Sequence, residues 1–120
     1  MNIHEFCSAL RDTLSDRYPE PRYWDVEPRP SERSPLMRIM VKAGFDHGVS
    51  AGIWWQSSLE QHMLSQFSEQ DLAAVLTMVA HTLIDTPEWR RSLVEQGKCH
   101  YRAVRRAVRI AEREAASANP

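Results

Sequence analysis

The chain has 120 residues, a formal net charge of −1, 42% hydrophobic and 26% charged residues, the size and balance of one domain able to bury a core. This excludes a wholly disordered chain, and no apolar run approaches the ~18–20 residues of a membrane span. The opening MNIHEFCSAL lacks the basic and long apolar regions of a secretory signal, so a cytoplasmic protein with no membrane contact is expected.

Residues 3–17 read as an amphipathic helix: Asn2 is placed to cap it, and Ile3, Phe6, Leu10 and Leu14 recur on one face. It must end by Tyr18, because Pro19 and Pro21 follow. Residues 22–27, RYWDVE, alternate as a strand, with Trp24 and Val26 on one face and Tyr23, Asp25 and Glu27 on the other. PRPSERSP, residues 28–35, reads as a loop.

Residues 36–43, LMRIMVKA, form a second expected strand, with Met37, Ile39, Val41 and Ala43 sharing a face. GFDHG then turns the chain into residues 49–56, where Val49, Ala51, Ile53 and Trp55 alternate with Ser50, Gly52, Trp54 and Gln56. An antiparallel hairpin with the 22–27 strand as third member follows. From Ser58 a helix is expected, opened by the capping box SLEQ.

A second box, SEQD at 68–71, opens the most apolar helix, whose stripe of Leu72, Val75, Leu76, Val79, Ala80 and Leu83 marks it as core. It stops near Asp85, and Thr86 with Pro87 restarts the chain as cap and first helical residue. The last segment allows two readings. A single helix keeps Leu93, Gly97, His100, Val104 and Ala111 roughly in phase, and Lys98 and His100 sit poorly in the first turn of a new helix. Yet one helix would span about 45 Å, long for such a domain, so a break or kink at Gly97 is the favoured expectation. The tail AASANP is expected to fray, with residues 1–116 forming the domain and 117–120 the tail. The expected fold is α+β: an N-terminal helix, a small three-stranded antiparallel sheet, then three to four C-terminal helices packed on one face.

No pattern of residues names a reaction. Walker-type and dinucleotide glycine motifs and a GxSxG elbow are missing from the sequence. His4 and Cys7 lie three apart on a helix and Cys99 and His100 are adjacent, but no recognised zinc spacing joins them. Two thiols in a reducing compartment read as packed cysteines rather than a disulfide. His81 and Asp85 have the i, i+4 spacing of an oriented imidazole, and His47 lies in the hairpin turn as a conceivable base. Neither has a nucleophile at a recognisable spacing, so a non-catalytic protein without metal or cofactor is expected.

Charge is distributed unevenly. Residues 1–88 carry seven Arg/Lys against thirteen Asp/Glu, whereas residues 89–120 carry eight against three. In YRAVRRAVRIAER, residues 101–113, a helical wheel places Arg102, Arg105, Arg106, Arg109 and Arg113 within about 100°. Tyr101, Val104, Val108, Ala111 and Ala115 occupy the opposite side. Such a stripe suits the carboxylates of an acidic protein surface, or alternatively nucleic-acid phosphates. It can also be an ordinary solvated face, or meet this chain's own acidic part. Trp54 would project from the sheet face opposite Trp55, beside Met40 and Arg38. If helices cover only the other face, these residues make an exposed apolar patch suited to a partner. The expected function is therefore an adaptor or inhibitor that binds an acidic partner through the arginine stripe, with Trp54 as a second contact; the alternative is a nucleic-acid-binding regulator using the same helix.

Overall fold

The structure, a computed structural model, describes residues 1–29 and 31–118, with side chains at all of these except 47, 99, 100 and 103. The fold is α+β. Helix α1 (Ile3–Arg17) leads to strands β1 (Tyr23–Pro28), β2 (Leu36–Gly44) and β3 (Ser50–Glu60), followed by helices α2 (Glu69–Ile84) and α3 (Pro87–Ala118). Short 3₁₀ segments occupy Asp46–Gly48 and Gln61–Gln66. The sheet is antiparallel in the order β1-β2-β3.

The helix starts follow side-chain chemistry. Asn2 Oδ1 accepts the Glu5 N–H at 2.8 Å, Ser68 Oγ the Asp71 N–H at 3.1 Å, and Thr86 Oγ1 the Trp89 N–H at 3.1 Å. Each satisfies a backbone donor that an isolated helix start leaves without a partner. Gly48, at φ 72°, turns the chain between β2 and β3 in a region that side chains disfavour.

Helices α1 and α2 cover one face of the sheet. Phe6, Leu10 and Leu14 from α1, Met37, Ile39, Val41 and Ala43 from β2, and Ala80 and Leu83 from α2 are fully buried together. On β1, Trp24 and Val26 face this core while Tyr23 is exposed, as the alternation requires. Trp24, Ala43 and Ala51 form one cross-strand row. The two alanines leave room above the sheet, where Trp24 stacks on Trp89 of α3 with centroids 5.4 Å apart and planes at 22°. The Trp24 indole N–H also donates to the Tyr18 carbonyl at 2.9 Å, tying β1 to the end of α1.

Helix α3 has a different place: it runs beside the outer edge of β3. The Ser92 hydroxyl accepts from the Gly52 N–H at 3.0 Å and lies 3.3 Å from the Gly52 carbonyl, to which it donates. One side chain thus satisfies both backbone groups of an edge residue, which would otherwise invite strand addition.

Two expectations are corrected. The SLEQ box does not start a helix at Ser58; β3 continues to Glu60, with a register shift between Leu36 and Arg38, and the following turn is 3₁₀. Ser57, the one buried polar side chain described, accepts the Leu59 N–H at 2.9 Å and so holds the irregular strand instead of capping a helix. There is no break at Gly97, since α3 is a single 32-residue helix. Gly97 does not have the positive φ of a helix-ending glycine, and only the first turns of α3 are packed, so its length is not limited by the body. Helix α3 is described through Ala118; residues 119–120 of the expected tail lie outside the described residues.

Space around Gly97 is open, with nothing within 4 Å of an added Cβ. Gly97→Ala is expected to stabilise α3 by about 0.5–1 kcal/mol, read as slower amide hydrogen exchange on both sides of the substitution.

Candidate partner-binding surface

Helix α3 consists of a packed part and a projecting part. Trp89 is buried, and Ser92 and Gln96 are half-buried against the body. From Gly97 to Ala118 every described side chain is exposed. The helix is about 48 Å long at 1.5 Å per residue, which stretches the protein to 74 × 30 × 22 Å with a radius of gyration of 19.4 Å. A compact chain of this length has a radius of about 14 Å.

The five predicted arginines lie on this projecting part, and the helix brings them onto one face. Arg102, Arg105, Arg106, Arg109 and Arg113 are all exposed. Over this stretch they span about 16 Å. Among the described residues none has a carboxylate within ion-pair distance; the ion pairs are Arg11–Asp12, Arg22–Asp46, Arg29–Glu27, Arg90–Asp85, Lys98–Glu95 and His62–Glu60. Arg105 instead folds back on its own helix, 3.4 Å from the Tyr101 hydroxyl and 5.7 Å from that ring's centroid.

Electrostatically this face works against its own helix. Arg102–Arg106, Arg105–Arg109 and Arg109–Arg113 are like-charge pairs at i, i+4, each costing about 0.2–0.5 kcal/mol at low salt. An anionic surface laid along them would remove that repulsion. Added salt is expected to do so in part: the helical circular-dichroism signal of the free protein should rise with ionic strength, and a flat or falling signal would contradict this account.

Trp54 is 54% exposed, on the sheet face that no helix covers. It lies in the cross-strand row Glu27–Met40–Trp54. The Arg29 guanidinium lies 5.5 Å from the Trp54 ring centroid and 2.7 Å from Glu27 Oε2. Trp54 therefore has a polar lid of its own. The shallow surface around Arg102, Arg105, Arg106 and Arg109 is completed by Lys98 and Tyr101 of the same helix and does not include Trp54.

The other candidates do not converge. His4 is exposed whereas Cys7 is 2% exposed, so they point apart. The Asp85 carboxylate lies 3.4 Å from Arg90 Nη1 rather than orienting His81. The side chains of His47, Cys99 and His100 lie outside the described residues. Among those described, no group of three or more His, Cys, Asp or Glu is arranged to hold a metal ion. An open cleft of about 400 Å³ sits where α3 leaves the body, lined by Glu20, Phe45, Asp46, Val49, Leu93, Gln96 and Gly97. Its Asp46 is paired with Arg22, and the described lining contains no serine, threonine, cysteine, histidine or lysine.

Burial pushes the Cys7 thiol up to about 11 from 9.0. The thiolate is the nucleophile, so Cys7 is expected to resist iodoacetamide at pH 8 while folded and to react in urea, as read by peptide mapping. The sign for stability follows: between pH 9 and about 11 the unfolded chain loses this proton and the folded one keeps it. Cys7 thus lowers stability as pH rises through that window.

The sequence reading did not show that the apolar side of the projecting helix is exposed. Tyr101, Val104 and Val108 are 61, 46 and 50% exposed. The periodicity correctly groups Tyr101, Val104 and Val108, but nothing in it says that no body lies beneath them. Among the described residues no helix is long and apolar enough to cross a membrane. No protein-family model, no curated protein and no solved structure matches this chain.

Proposed function

We propose that this protein is a non-catalytic adaptor or inhibitor that engages an acidic surface of another protein through Arg102, Arg105, Arg106, Arg109 and Arg113. The observation that carries this reading is a row of five exposed arginines with no carboxylate partner among the described residues. Their planar guanidinium forks suit carboxylates, and a rigid helix presents them with little ordering left to do on binding. The net-acidic body, seven Arg/Lys against thirteen Asp/Glu over residues 1–88, disfavours an extended polyanion, which would have to pass near it. Trp54 is a second contact only for a partner large enough to reach the open sheet face.

The test combines cross-linking capture from a cell lysate with the triple reversal Arg105→Glu, Arg106→Glu, Arg109→Glu. These side chains are exposed, so the variant should fold. Affinity for the captured acidic protein is expected to fall at least about tenfold, equivalent to 1.4 kcal/mol; undiminished capture would refute the assignment. A mobility shift with duplex DNA or RNA at low salt, abolished by the same reversal, would move the function to nucleic-acid binding.

A further inference from the structure

The exposed apolar side of α3 carries a register that points to a second copy of this chain. Val94, Gly97, Tyr101, Val104, Val108, Ala111, Ala115 and Ala118 are spaced by alternating steps of three and four, the a/d pattern of a two-stranded coiled coil. All eight are exposed, with Val94 at 56% and Tyr101 at 61%. This seam is about 36 Å long. With a width of about 10 Å, it presents on the order of 350 Å² of apolar surface, comparable to the largest patch on a typical monomer, which is often functional. Trp89, Ser92 and Gln96, which touch the body, lie on the far side of the helix from Val94; of the seam residues Gly97 borders the open cleft beside the body, with nothing within 4 Å of an added Cβ.

We infer that the protein self-associates through this seam as an antiparallel two-helix pair. Antiparallel pairing sets Tyr101 against Ala111, Val104 against Val108, Gly97 against Ala115 and Val94 against Ala118 of the second copy. Every large side chain except the central valines meets a small one, and the narrowest layer is Gly97 against Ala115. In a parallel pair each layer meets itself. Tyrosine would oppose tyrosine, and glycine and alanine would oppose their own kind, leaving a wide layer beside narrow ones.

Charge favours the same direction. The antiparallel register sets Lys98 beside Glu112 of the second copy, and the symmetry repeats that pair. A parallel register gives Glu112 only Ala107 and Lys98 only Leu93. It would also bring the two net-acidic bodies to the same end, whereas the antiparallel pair holds them apart. One contact opposes it: Arg105 meets its own copy at the two-fold axis. Its guanidinium lies over the ring of Tyr101, a seam residue, and has to leave that ring when the helices pair. Arg102, Arg106, Arg109 and Arg113 point away from the seam, so the pair would display two arginine faces.

Sedimentation equilibrium of the intact protein from micromolar to millimolar concentration should show the mass rising from 13.9 kDa to twice that value. A monomer mass throughout would overturn the inference. Val104→Glu with Val108→Glu, at exposed positions, should abolish the rise and leave the thermal midpoint unchanged; a dimer that survives this pair of substitutions does not use the seam. Orientation is read by pulsed electron resonance with a spin label on Ala116→Cys in a Cys99→Ser chain, the buried Cys7 being left in place. Antiparallel pairing predicts labels separated by about 30 Å along the axis. Parallel pairing brings them to about 10 Å, and that shorter distance would overturn the geometry. Because the seam variant retains all five arginines, failure of self-association and failure of acidic-partner binding are read independently.

Discussion

Replacing Trp89 with alanine is expected to cost about 3–5 kcal/mol, a large share of the 5–15 kcal/mol that holds a typical domain folded. Trp89 is 2% exposed and stacks on Trp24, itself 6% exposed. Beneath the pair lie Ala43 and Ala51, too small to collapse into the space that an absent indole would leave. Trp89 is also the main apolar anchor of α3. Without it the helix is held to the sheet chiefly by the Ser92–Gly52 hydrogen bonds, worth about 1 kcal/mol each. The measurement is urea unfolding followed by circular dichroism. Trp54→Ala is the control: Trp54 is 54% exposed, and its loss should cost well under half as much. Equal costs for the two tryptophans would show that the stacked pair is not the centre of the packing.

Ending the chain after Gln96 should have the opposite profile, a folded body that has lost its binding activity. Every described side chain from Gly97 to Ala118 is exposed, so the deletion removes no core contact. The unfolding midpoint of the body is expected to move by no more than about 0.5 kcal/mol, the range of surface changes away from structural features. The lost segment carries six Arg/Lys and two Glu, including all five arginines of the proposed contact face. Capture of an acidic partner should disappear entirely, along with the concentration-dependent mass. Retained capture would place the contact surface on the body, with Trp54 as its first candidate. A large drop in stability would mean that the projecting helix packs somewhere on the body after all.

The elements were legible in the chain because local chemistry sets them. Asn2, Ser68 and Thr86 each cap the helix they precede, Pro19 and Pro21 follow the end of α1, and Gly48 turns the chain between β2 and β3. Period-two alternation assigned Trp24, Val26, Met37, Ile39, Val41, Ala43, Ala51 and Ile53 to one face, and all are buried. The capping-box pattern misled at Ser58, because a serine before helix-favouring residues looks the same whether its hydroxyl serves a helix start or a strand irregularity. What separates the two is the neighbouring strand: Leu36 pairs with Glu60 and keeps the chain extended.

Gly97 misled for a related reason. The expectation of a break assumed that α3 must fit the dimensions of the body, whereas the helix leaves it and continues into solvent. Local sequence thus accounts for the secondary structure, the alternating core and the gathering of five arginines on one helical face, all of which depend on spacing along the chain. Whether those arginines meet the protein's own carboxylates or project away from them depends on where α3 lies against the sheet. That is a contact between residues far apart in sequence, set by Trp89 on Trp24 and Ser92 on Gly52. These anchors hold only the first turns of α3, and so the arginine face and its apolar reverse side are both left exposed.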